Sequence, residues 1–159
     1  MARSSQQKAK LLLIAQYLTE ASDEQHPLSM AQILAYLRRR GVEAERKSVY
    51  DDLDTLRQFG YDIVTVRGQK GGYYIGQRSF ELAELKLLVD AVQASRFITE
   101  RKTSQLIRKL SALASNGQAL ELRRQLFSTG RAKAMNENIF YNVDALHQTI
   151  NGGHQVEFR

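Results

Sequence analysis

The sequence predicts a mainly α-helical chain with one small β-hairpin, or wing, after its third helix. Three observations carry that prediction. Apolar residues recur at helical spacing along most of the 159 residues, β-branched and aromatic residues gather around positions 63–66 and 73–75, and glycines stand where these runs begin and end.

The first helix is expected over residues 6–21, where the run from Leu11 to Ala15 and Leu18 supplies its buried side. Ser29 is a good N-cap for a second helix over 30–40, because its hydroxyl can accept from the free amides of the first turn. Ile33, Leu34 and Leu37 face one side of that helix, and Gly41 closes it. After a short turn, Val49, Leu53 and Leu56 recur at i, i+4 and i+7, which stacks three apolar side chains on one stripe. Arg46, Lys47, Tyr50, Asp51, Asp54 and Arg57 fill the other faces, and Gly60 ends the helix near Phe59. Ile63, Val64 and Val66 then pair with Tyr73, Tyr74 and Ile75 around Arg67-Gly68-Gln69-Lys70-Gly71-Gly72, a glycine-rich cationic tip. Two helices about a glycine-started turn, followed by such a hairpin, predict a winged helix-turn-helix over residues 1–78.

Beyond it the pattern is helical. Leu82, Leu85, Leu88, Val89 and Val92 share a face over 81–97, and Leu106, Ile107, Leu110 and Leu113 share one over 103–114. Asn116-Gly117 is expected to break the chain before a further helix over 120–127. Residues 79–130 thus read as a helical linker or bundle, either plain core or a dimer interface. A last helix is expected over 138–150, then a turn over 151–153, then an alternating strand from His154 to Arg159. A strand that ends a chain cannot complete its own ladder, so residues 131–159 read as the truncated start of an α+β unit, or as a strand added to another chain.

Composition favours a cytoplasmic regulator over an enzyme. The 43% hydrophobic content is ordinary for a folded chain, and no apolar run is long enough for a membrane span or a secretory leader. The absence of cysteine removes disulfides and thiolate metal sites and agrees with a reducing compartment. His26, His147 and His154 are scattered, and the paired glycines at 71 and 72 lie in a hairpin, not between a strand and a helix as a phosphate loop requires. No catalytic group, metal or cofactor is expected.

The net charge of +6 favours a polyanionic partner, and its placement says more than its size. Arg38, Arg39, Arg40, Arg46, Lys47, Arg67 and Lys70 gather at the turn, at the start of the third helix and at the wing tip, where this fold touches double-stranded DNA. Arg40 and its two neighbours end a helix, so they either complement its dipole or meet phosphate. Arg46 and Lys47 open a helix, where the dipole favours acids, so cations there ask for another reason. Ser48 can contact a phosphate or a base edge, or bond its own backbone. Tyr50, one residue past the buried Val49, should be exposed and able to press on a sugar or a thymine methyl. Asp51, Asp52 and Asp54 would repel phosphates, so only the N-terminal turn of the helix is expected in the groove. Pairs of Lys47 with Asp51 and of Asp54 with Arg57 or Gln58 explain two of the acids, and Asp52 is expected to cap or brace a neighbouring helix; Asp51 as a cytosine acceptor is the alternative.

These residues carry a family resemblance. Arg46-Lys47-Ser48-Val49-Tyr50-Asp51-Asp52-Leu53, followed by Leu56, Phe59-Gly60 and Gly71-Gly72-Tyr73-Tyr74, resembles the N-terminal winged helix of the WYL-domain transcriptional regulators. In that family a helical linker and a Sm-like β-barrel sensor follow, so the resemblance implies linker helices over 79–130 and the opening of the sensor over 131–159. Two departures stand out. Asp51 occupies a position where many members have arginine, and Glu45 stands in place of the more usual Ser or Asp cap. The signature Trp-Tyr-Leu is absent, since the chain holds no tryptophan. The expected function is therefore a sequence-specific, DNA-binding transcriptional regulator. It would act as a homodimer, with Arg40, Arg46, Lys47, Ser48, Tyr50, Arg67, Lys70 and Gly71 at the DNA and an effector ligand taken by a C-terminal domain beyond these residues. The rival reading is a winged-helix protein-interaction module.

Overall fold

The computed structural model describes residues 2–68, 71–124, 133–136 and 138–157. Among these the chain is mainly helical, with one two-stranded antiparallel sheet. Its elements are α1 (Ala2–Ala21), α2 (Met30–Arg39), α3 (Arg46–Gln58), β1 (Ile63–Val66), β2 (Gly72–Ile75), α4 (Leu82–Ala94), α5 (Glu100–Ser111), α6 (Asn116–Arg124) and α7 (Asn138–Asn151).

Local chemistry sets the ends of α2 and α3. Ser29 and Gln32 form a capping box: the Gln32 amide donates to the Ser29 hydroxyl at 3.3 Å, and the Ser29 amide donates to the Gln32 side chain at 2.8 Å. Glu45, at the head of α3, was expected to give a weakened cap, but it makes no side-chain cap bond at all. Both helices end in the same way. Gly41 and Gly60 take φ of 76° and 92°, a region in which a Cβ would be strained. The amides of Gly41 and Val42 then turn back to Arg38 and Leu37, and those of Gly60 and Tyr61 to Arg57 and Leu56.

Ile63 pairs with Ile75 and Val66 with Gly72, so Thr65 stands opposite Tyr73. The hairpin is anchored along β2. Leu28, just before α2, exchanges two 2.9 Å backbone hydrogen bonds with Tyr73, and the Ile75 amide donates to the Ser22 hydroxyl at 3.2 Å.

Two apolar clusters form. The first joins Ile14 and Leu18 of α1, Ile33 and Leu37 of α2, Val49, Leu53 and Leu56 of α3, and Ile63 and Ile75 of the hairpin. The second joins Leu85 and Val89 of α4, Ile107 of α5 and Leu122 of α6. Apart from the 20-residue α1, the helices they join are short enough to be marginal alone, so burial of these faces is what holds them.

Several expectations are corrected. α1 begins at Ala2, earlier than residue 6. Leu12 is 71% exposed, because five consecutive helical residues cannot share one face. α4 stops at Ala94, leaving Phe97 exposed, and Leu113 lies past the end of α5, also exposed. Asn116-Gly117 does not break a helix but opens α6, because Ser115 caps it: its hydroxyl accepts from the Gln118 amide at 3.2 Å. The far end expected for that helix, 125–127, lies outside the described residues. Residues 154–157 form no strand, and the rest of the expected strand, 158–159, lies outside the described residues.

The two clusters meet across a polar corner at Ser22 and Asp23. The Ser115 hydroxyl donates to Asp23 Oδ2 at 2.5 Å, while the amides of Gln25 and His26 donate to Asp23 Oδ1 at 3.0 and 2.9 Å. His26 Nδ1 lies 2.8 Å from the same oxygen, and Arg78 donates to the Ser22 carbonyl at 2.7 Å. Burial pushes the Asp23 carboxyl up, but the hydrogen bonds from Ser115 and His26 outweigh it and hold it below its ordinary value. A carboxylate so depressed contributes stability that is fully present above its unfolded pKa of about 3.9 and is lost as pH falls through the lower folded value. Urea midpoints followed from about pH 6 down to about pH 3 should therefore fall less steeply in Asp23→Asn than in the parent chain. Equal slopes would remove Asp23 from the acid response.

Candidate nucleic-acid interface

α3 opens with two exposed cations, Arg46 and Lys47, beside its uncapped amides. With no acid in that first turn, nothing on the helix itself balances the partial positive charge of its N-terminus. The three carboxylates that follow are handled separately. Asp52 points back toward α1, where Lys10 Nζ meets its Oδ2 at 2.7 Å. This is the bracing role expected of it. Asp54 pairs with Arg57 at 2.6 Å, as expected. Asp51 stays exposed, and the expected ion pair between Lys47 and Asp51 does not form.

Lys10 is the feature that sequence reasoning missed. Its side chain is 4% exposed, and its ammonium also donates to the Ser48 hydroxyl, so Ser48 is half-buried and held from behind. No spacing within α1 signals this, because the two partners lie on another helix, 38 and 42 positions along the chain.

Tyr50 is exposed at 46%, as predicted, and its phenol lies near that of Tyr73 on β2. Burial raises the Tyr73 phenol, the Tyr50 hydroxyl and the Asp54 charge raise it further, and Arg57 opposes them. Arg57 spreads its guanidinium over three acceptors. Nε donates to the Ile63 carbonyl at 3.0 Å, Nη2 to the Thr65 hydroxyl at 3.0 Å, and Nη1 to Asp54.

At the far end of the hairpin Arg67 is exposed. A Cβ on Gly71 would come within 2.8 Å of the Val66 carbonyl oxygen and 2.9 Å of that of Gly68, so the bare backbone there serves the turn itself. Lys70, the other predicted tip cation, lies outside the described residues. Arg40 is exposed at the turn before α3, with its guanidinium 5.2 Å from the Tyr36 ring centroid. Tyr36 stacks in turn on Tyr17 at 4.0 Å. The structure thus puts Arg46, Lys47, Ser48 and Tyr50 on one helix, joins that helix to the hairpin bearing Arg67 and Gly71, and sets Arg40 on the turn that enters it.

A cleft of about 660 Å³ lies between the hairpin base and α4. Asp23, Glu24, Asp62, Glu81 and Glu84 line it against one cation, Arg78, so it repels a polyanion and forms no part of this surface. Among the described residues no cluster of His, Asp or Glu is arranged to hold a metal ion, and no helix is long and apolar enough to cross a membrane. Comparisons with protein-family models, with curated proteins and with solved structures find no match to this chain.

Proposed function

We propose that this chain is a winged helix-turn-helix, sequence-specific DNA-binding protein that regulates transcription in the cytoplasm. α3 is its recognition helix and the hairpin its wing. In this reading residues 1–78 are the DNA-binding head, 79–130 a helical linker that serves dimerisation, and 131–159 the opening of a WYL-type sensor domain.

One observation carries the reading: the outward charge of α3 is sorted. Two of its three acids are neutralised by Lys10 and Arg57, while Arg46 and Lys47 make no ion pair among the described residues and stand at the end whose dipole attracts phosphate. The N-terminal turn enters the major groove. The wing tip, with Arg67 and Lys70, meets phosphates or the adjacent minor groove, and Arg40 holds the backbone beside the turn. Tyr50 presents its ring edge to the groove wall. Because one such head reads only a few base pairs, two copies bind the two halves of an inverted repeat.

Selection of bound duplexes from a random pool at about 150 mM salt should enrich an inverted repeat. On the enriched site, Arg46→Ala with Lys47→Ala should cost about 1–3 kcal/mol and relax sequence preference, whereas Lys70→Ala should weaken all sequences and flatten the salt dependence. Unchanged affinity in the double variant would reject this placement of α3. Salt-independent recovery of a protein, with no duplex enriched, would favour an interaction module instead.

A further inference from the structure

The hairpin is short, with four residues in each strand, and its anchors to the rest of the chain through Ser22 and Leu28 lie at β2. A second grip comes from α3. Tyr50 and Arg57 are seven positions apart, two helical turns, and so project from the same face. Both reach the same rung of the hairpin. Arg57 Nη2 donates to Thr65, the Tyr50 phenol lies near that of Tyr73, and Thr65 and Tyr73 are direct cross-strand partners on one face of the sheet. Arg57 Nε adds a bond to the Ile63 carbonyl, two residues down the same strand. A single rung, Val66 with Gly72, separates the gripped rung from the tip.

A two-stranded ribbon of this length is marginal by itself and free to twist and bend. A planar guanidinium with three fixed acceptors removes that freedom, which a lysine with one ammonium in one place cannot do. Asp54 keeps the fork in position from the helix side, through its 2.6 Å bond to Nη1.

We infer that Arg57 is a positioning residue which, through Thr65 and Ile63 and together with the Tyr50–Tyr73 contact, fixes the angle between the hairpin and α3. The N-terminal turn of α3 and the tip at Arg67 then meet a nucleic acid as one rigid reader with a single spacing between them. The consequence for recognition rests on the DNA-binding reading; the brace itself does not.

The chain has no cysteine, so two engineered ones label cleanly. Spin labels at Glu43→Cys, in the turn before α3, and Arg67→Cys, at the hairpin tip, report the hairpin's angle in the free protein by pulsed dipolar spectroscopy. The expected result is one narrow distance in the parent, a distribution at least twice as wide in Arg57→Met, and an intermediate width in Arg57→Lys, all with unchanged helical circular dichroism. Should Arg57→Met fail to fold, Thr65→Val with Tyr73→Phe removes the rung's hydroxyls while keeping the β-branch of exposed Thr65 and the half-buried ring of Tyr73, and carries the same expectation. An unchanged width in whichever variant folds overturns the brace. Hydroxyl-radical footprints on the selected duplex form the second arm. Arg57→Met should keep protection over the central bases and lose it at the flank beneath the tip, and retained flank protection counts against the brace. If the parent chain binds no duplex, the DNA-binding reading fails, while the distance measurement still decides the brace.

Discussion

Lys10→Ala should destabilise the protein by about 3 kcal/mol, although Lys10 lies far in sequence from every residue it serves. Removing one member of a buried ion pair leaves the other as an uncompensated charge, which costs more than the pair itself contributes. The estimate is at the low end for such a loss, because the Asp52 side chain keeps 18% of its exposure and can recover some water. Ser48 would lose its donor at the same time. Replacing both ions by apolar residues, Lys10→Met with Asp52→Leu, should bring stability back to within about 1 kcal/mol of the parent, because a matched apolar pair avoids desolvating two charges. Urea denaturation of the three variants measures both effects. Equal stability of parent and Lys10→Ala would mean that the pair is solvated and adds nothing. The double variant also bears on function. On the proposed DNA-binding reading it should fold but bind duplex less well, since the face of α3 near Ser48 is then set by packing alone.

Leu53→Ala should cost about 2–5 kcal/mol, the range found when a buried leucine leaves a cavity that its surroundings only partly fill. Leu53 is 1% exposed in the centre of the cluster that joins α1, α2, α3 and the hairpin, so little around it can collapse inward. Here the effect on binding runs the other way. Arg46 and Lys47 are untouched, so at low temperature, where the folded form still dominates, duplex affinity should match the parent. A urea titration paired with binding at low temperature checks this. A loss of affinity in the folded variant would show that the cluster sets the attitude of α3 as well as its stability.

Local rules reached most of the elements. The start of α2 was legible because Ser29 is a good N-cap, and the ends of α2 and α3 because Gly41 and Gly60 supply the left-handed residue that closes them. The stripe of Val49, Leu53 and Leu56 is buried as its spacing implied. Errors fell where a local signal met a competing one. Asn116-Gly117 reads as a breaker, yet Ser115 and Gln118 form a cap across it and the helix starts there. Leu12 belongs to an apolar run but faces out, because a helix turns.

The candidate site was legible in its outward cations and its exposed Tyr50, and illegible in what supports them. Lys10 reads as one more basic residue near the N-terminus, and only the packing of α1 on α3 turns it toward Asp52. Arg57 reads as the helical partner of Asp54; its bonds to Ile63 and Thr65 exist only once the hairpin folds back. Spacing on one element predicts that element's own surface, and contacts between elements lie beyond it.

The corner at Ser22 and Asp23 has an evolutionary consequence. Apolar cores demand matching shapes on both sides, so a change on one side must be answered on the other. Among the described residues this seam is held by a carboxylate, one hydroxyl, a guanidinium and a backbone carbonyl at the right places. A helical region of different sequence can be joined to the same head if it brings a capping serine to Asp23 and an arginine to the Ser22 carbonyl. The two halves can therefore diverge at separate rates, and a lineage can exchange one while keeping the other.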